Sequence, residues 1–166
     1  MTRSGSSIAI MPSAAAARTV VAVHPYTARP SGVIVILSRV RAVMDRNGDA
    51  RTPMLATEIT WPSSQGKAPA QFGVSVTEAQ QAQRLDALMP MLIRNRARLR
   101  LSGFYWYTWM GDETPRPAPY AFDYAGLLKY VHGVIAPKPV LGVFARWALA
   151  IEQCRRKRAT ALVCAR

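Results

Sequence analysis

From Thr19 onward, the chain alternates short apolar runs with longer stretches in which apolar residues recur every three or four positions. Thr19–His24 (TVVAVH) is a β-branched run closed by Pro25 and reads as a buried strand. After it, Val33, Ile36, Leu37, Val40, Val43 and Met44 form a helical stripe, with Ser31 placed to cap the helix. Arg39, Arg41 and Arg46 fall mostly off that stripe, and Asn47-Gly48-Asp49 ends the helix. Pro53–Thr60 (PMLATEIT) reads as a second strand. A loop with Pro62, Gly66, Pro69 and Gly73 follows, and Thr77 with Gln80 then spells a capping box. Leu85, Leu88, Met89 and Leu92 make the buried face of the helix it opens. Pro90 predicts a kink or an early break in that helix. Leu99–Trp109 (LRLSGFYWYTW) reads as a third strand, dense in aromatics. A Pro-rich loop leads from it to a last helix from about Pro139 to Gln153.

The order is β-α-β-α-β-loop-α. Strands that alternate with helices imply parallel pairing and right-handed crossovers, hence an α/β fold. Residues 1–18 are small, polar and aperiodic and read as a disordered leader. Their apolar stretch, Ile8–Met11, is too short for a signal peptide and is closed by Pro12. Residues 154–166 read as a basic tail. The main unit is therefore 19–153.

Charge changes the picture only in part. The 166 residues carry 22 Lys+Arg against 9 Asp+Glu, a formal net charge of +13. Seven of those basic residues lie in 1–18 and 154–166, which leaves +6 for 19–153. Arginine outnumbers lysine 18 to 4, as GC-rich codons would give. Arg94, Arg96, Arg98 and Arg100 alternate along one stretch, and Arg155–Arg158 form a run. Both could meet phosphates, so the alternative to an enzyme is a basic α/β module that binds nucleic acid or another polyanion without catalysis. Neither is interleaved with aromatics, and non-specific binding that fades with salt is expected. Half the residues are hydrophobic, which argues for a packed core. The longest uncharged stretch, Ser4–Ala17, is too short and too polar for a membrane span. Cys154 and Cys164 are too few for a disulfide framework or a Cys-based zinc site, and no metal or cofactor is expected.

Glu58 is the leading candidate for chemistry. It lies near the end of an otherwise apolar strand, where a carboxylate is costly unless something uses it. Parallel α/β folds bind ligands at the C-terminal ends of their strands. His24 and Tyr26 end the first strand at that level, and Trp109 ends the third. A carboxylate beside His, Tyr and Trp suits a sugar, whose C–H faces stack on rings while the carboxylate stabilises oxocarbenium-like charge. The same spacing equally allows Glu58 to pair with an arginine and the aromatics to be core.

The ordered segments VAVHPY (21–26), LATEITWP (55–62), YWYTW (105–109), FDYAGLL (122–128) and PKP (137–139) resemble the C-terminal part of a glycoside hydrolase family. These are (β/α)8-barrel enzymes of the clan that includes cellulase-like and xylosidase-like members. The resemblance covers roughly 19–153 and implies a partial TIM barrel comprising about its last three βα units. It implies that Glu58 is the nucleophile of a retaining glycosidase and that Tyr26 can hydrogen-bond it, with His24 alongside. Trp61 and Trp109 match rim aromatics, and Trp109 matches the sugar platform. Asp112 and Glu113 could reach sugar hydroxyls, and the substrate would be a carbohydrate. The family is often secreted. A retaining site needs a second carboxylate about 5 Å away. The family's Asn-Glu pair that supplies it occurs nowhere in these residues, and a whole barrel takes ~250 residues. The chain is therefore expected to be inactive alone on natural glycosides, and to need a missing N-terminal barrel segment or self-association.

Overall fold

The computed structural model describes residues 19–157, with side chains through residue 153. The leader at 1–18 and the tail beyond residue 157 lie outside the described residues. Three parallel strands form the first sheet in the order β1 (Val21–Val23), β2 (Met54–Ile59), β3 (Leu101–Trp106). They alternate with α1 (Pro30–Arg46) and α2 (Glu78–Leu99). Side chains alternate across a strand. Val23, Met54 and Ala56 accordingly enter a core with Leu37, Leu85 and Leu88, while Ala22 is exposed and Leu55 half-buried.

Helix α1 begins one residue before the expected cap. Pro30 takes its first turn, where no N–H is needed and the fixed φ already fits, and no side chain caps it, so Ser31 lies inside the helix. Arg41 proves to lie on the buried face. Its guanidinium donates to Asp45 Oδ1 (2.8 Å) and to the carbonyls of Thr52 and Asp49 (both 2.7 Å). A cation spaced with the apolar stripe is thus buried by tying the helix to the turn that leaves it.

The capping box of α2 forms as expected: Gln80 N donates to Thr77 Oγ1 (3.1 Å) and Thr77 N to Gln80 Oε1 (3.0 Å). Pro90 does not break this helix. It removes one backbone donor, but Leu85, Leu88, Met89 and Leu92 pack on both sides of it and hold the helix through to Leu99. Leu99 is consequently the last helical residue rather than the first of a strand. Arg100 follows in the left-handed conformation (φ 49), its N–H bonded to Ala97 and Arg96 carbonyls, and β3 starts at Leu101.

Beyond β3 the chain departs from the sequence reading. The Tyr107–Thr108 peptide is cis. A second sheet forms from β4 (Met110–Asp112), β5 (Leu128–Val131) and β6 (Val134–Pro137), with β4 parallel to β5 and β5 antiparallel to β6. The β5–β6 turn is His132-Gly133, both at positive φ (46 and 88). Helix α3 (Pro139–Lys157) then packs on α2 and runs four residues past its expected end, into the basic segment. Phe104 and Phe144 meet edge to face beneath it. The architecture is α/β, with three helices and two three-stranded sheets, and no closed barrel among the described residues.

The two sheets are joined at the carbonyls of Tyr124 and Ala125, at the end of a 3-10 turn (Ala121–Tyr124). Tyr124 O accepts from Ser63 N (3.0 Å), Ser63 Oγ (3.1 Å) and Lys138 Nζ (2.8 Å). Ala125 O accepts from Thr60 Oγ1 (3.2 Å) and Trp106 Nε1 (3.0 Å). The Lys138 side chain, fully buried, also meets Ser63 Oγ at 2.7 Å and Glu113 Oε1 at 2.9 Å. Two glycines let the backbones cross here. A Cβ on Gly126 would lie 2.3 Å from both Gly111 N and Leu128 O, and one on Gly111 would lie 2.0 Å from Asp123 O.

Candidate active site at the C-terminal ends of the parallel strands

Parallel pairing brings the C-terminal ends of β1, β2 and β3 to one rim. Glu58 is the penultimate residue of β2, and the chain leaving β1 turns over it, with Tyr26 N bonded to His24 O at 3.0 Å. The Tyr26 hydroxyl donates to Glu58 Oε2 at 2.5 Å. His24 Nδ1 lies 3.4 Å from the same oxygen, within ion-pairing distance when the imidazole is protonated. Charge-assisted O–H···O− contacts are this short and are stronger than neutral ones. About a third of the Glu58 side chain remains exposed, so the carboxylate is held and still reachable. Burial, followed by the hydrogen bond to Glu58 and its negative charge, pushes the Tyr26 phenol far above the ordinary tyrosine value. Tyr26 therefore stays a neutral donor.

Rings surround this pair. Phe72 stacks on Tyr26 (centroids 5.3 Å apart, planes 9° apart), and Phe122 meets Tyr26 edge-on at 5.2 Å. Tyr107 and Tyr120 pack against Phe122 at 5.6 and 5.5 Å. Phe72, Tyr107 and Tyr120 are all exposed. Tyr107 is positioned by β3, its N–H bonded to Ile59 O at 3.0 Å, and Tyr120 and Phe122 by the 3-10 turn.

The structure therefore brings together His24, Tyr26 and Glu58. Trp61 is fully buried, not on the rim. Its indole N–H donates to Thr27 O (2.7 Å), and its ring packs near Trp106, because the chain turns inward after Thr60 toward the hub at Ala125. Trp109 is half exposed beyond the cis peptide, on the approach to β4, and its carbonyl accepts from Leu128 N. Asp112 lies on β4. The Thr114 hydroxyl and amide hold its carboxyl below the usual range, with Arg116 and His132 nearby, so its described partners belong to the second sheet. Glu113 is buried against Lys138, with Lys67 at 3.1 Å, and serves the join between sheets. Glu78, Asp86 and Asp123 are paired with Lys129, Arg146 and Arg116.

Sequence reasoning missed Phe72, Tyr107, Tyr120 and Phe122 as parts of the rim. Phe72-Gly73 carried a usable signal, since a large apolar residue beside glycine in a polar loop has no core to enter. No group of three or more His, Cys, Asp or Glu among the described residues could hold a metal ion. No helix among them is long and apolar enough to cross a membrane. No protein-family model matches the chain, and no curated protein matches it.

Proposed function

We propose that the rim around Glu58 is the nucleophile side of a retaining glycosidase site. The observation that carries this reading is the short Tyr26–Glu58 hydrogen bond among exposed rings at the strand ends. A nucleophilic carboxylate must be oriented, and a phenol that keeps its proton does this by donating to one of its oxygens. Glu58 attacks the anomeric carbon, and the bond to the leaving oxygen breaks, carrying its electron pair away. Water then cleaves the glycosyl ester and restores the carboxylate.

Protonation of a poor leaving group needs a second carboxyl, and Asp45, Glu78, Asp86, Asp112, Glu113 and Asp123 are each engaged with other partners. The 166-residue chain is therefore expected to act on activated aryl glycosides and to leave natural oligosaccharides intact. In this reading the first sheet is a run of three βα units from a (β/α)8 barrel. That reading is supported by its parallel order, its alternating helices and outer edges of β1 and β3 that have no neighbouring strand among the described residues. The complementary part would come from a further barrel segment or a second copy.

Incubation with dinitrophenyl fluoro-sugars tests the proposal, because dinitrophenolate departs unaided and the fluorine slows release of the ester. A mass increase of one glycosyl unit on the peptide containing Glu58, lost in Glu58→Gln, is expected. Tyr26→Phe should slow labelling by about tenfold, the loss of one charge-assisted hydrogen bond of ~1.5 kcal/mol. Labelling elsewhere, or undiminished labelling of Glu58→Gln, would overturn the proposal.

A further inference from the structure

Phe72 occupies an unfavourable position. Gln71 and Val74 exchange backbone hydrogen bonds (3.2 and 2.8 Å), which makes Phe72-Gly73 the two central residues of a tight hairpin. Both have positive φ, 52 at Phe72 and 67 at Gly73. Such turns favour Asn-Gly or Gly-Gly, and a bulky L-residue in the left-handed region costs about 1–2 kcal/mol. Burial does not offset that cost, since Phe72 is 66% exposed. Val74 and Val76 anchor the hairpin in the core, so its tip is held in place. What the conformation achieves is a nearly parallel stack on Tyr26 and an edge contact with Phe122 at 6.1 Å. One face of the Phe72 ring is thereby set against the residue that grips Glu58, and the other is left to solvent.

We infer that Phe72 is a sugar platform one unit away from the reacting ring, so that the site takes oligosaccharides of at least two units. Resting on the glycosidase reading, this names its substrate class. The sugar whose anomeric carbon meets Glu58 lies over the carboxylate. Phe72 stacks on the face of Tyr26, whereas Glu58 meets that ring at its hydroxyl, so Phe72 stands to the side of the carboxylate and serves the neighbouring unit. A pyranose presents an apolar C–H face to such a ring, as an aromatic partner would.

The experiment measures dissociation constants by NMR titration for glucose, xylose and their β-linked dimers. The proteins are the full chain, Phe72→Asn and Phe72→Trp. Asparagine accepts the left-handed conformation and removes the ring, so it keeps the turn, while tryptophan restores a platform. Expected is about a tenfold loss of dimer affinity in Phe72→Asn, equal to about 1.4 kcal/mol. Monosaccharide affinity should be unchanged, and Phe72→Trp should recover the dimer. Equal dimer affinity in all three proteins, or equal losses for monomer and dimer, would overturn the platform, while labelling of Glu58 would leave the glycosidase reading standing. No binding of any sugar together with no labelling would overturn both.

Discussion

Replacing Lys138 by Met keeps the aliphatic stem and removes an ammonium that is fully buried and bonded to Glu113, Ser63 and the Tyr124 carbonyl. The remaining partner, Glu113, has only 3% of its side chain exposed. Breaking a buried pair from one side costs about 3–5 kcal/mol, because the other charge stays desolvated. Lys67, at 3.1 Å but 43% exposed, compensates in part, so the lower end of that range is expected. At roughly 2–4 °C per kcal/mol for a domain of this size, the melting temperature should fall by about 6–12 °C. Glu113→Gln strands the lysine instead and should cost a similar amount. The two losses share one cause, so the double variant should be at least about 2 kcal/mol more stable than their sum. Urea unfolding of all four proteins measures both quantities. A cost below about 1 kcal/mol for Lys138→Met, or strict additivity, would refute the idea that this buried pair holds the hub at Ser63 and Tyr124 together.

Two further outcomes follow from the geometry. A raised folded-state value means that the stability linked to Tyr26 is full below the unfolded value near 10 and is lost as pH rises through and beyond it. Tyrosinate absorbance should therefore show one late phenol, which disappears in Tyr26→Phe and moves earlier in Glu58→Gln; a late step unmoved by Glu58→Gln would contradict the coupling. Among the described residues, the outer edges of β1 and β3 have no neighbouring strand, and such edges template pairing with another chain. Light scattering of the 166-residue chain should show self-association, and a monodisperse monomer with a sharp cooperative melt would mean that its core is already closed.

The elements legible in the sequence were those governed by local rules. The capping box at Thr77, the exit at Asn47-Gly48 and the three parallel strands follow from spacing and backbone preference alone. Pro90 shows where local preference loses, since packing on both sides carries α2 through it. The second sheet was hidden because its strands are three or four residues long, and Gly, Pro and turn residues dominate their surroundings. Glu58, His24 and Tyr26 could be placed on one rim because strand order alone puts them there. Trp61 could not be placed, for its direction depends on a hub 64 residues away at Ala125, and no pattern around residue 61 encodes that. Lys138 was equally silent: a lysine between two prolines reads as surface until Glu113 and Ser63 are seen to enclose it.

The crossing at Gly111 and Gly126 bears on how this rim can vary. The crossing fixes the start of β4 and the exit of the 3-10 turn against each other, so Phe122 and Tyr120 are carried from a rigid base. Residues 115–118, between those fixed points, are exposed throughout. Loops of this kind accept insertions at small cost, since closure entropy grows only slowly with length. The height of the wall on that side can therefore be lengthened, shortened or exchanged as a cassette while the carboxylate keeps its place. Diversification of ligand reach is in this way uncoupled from the integrity of the scaffold, provided the two glycines remain glycine.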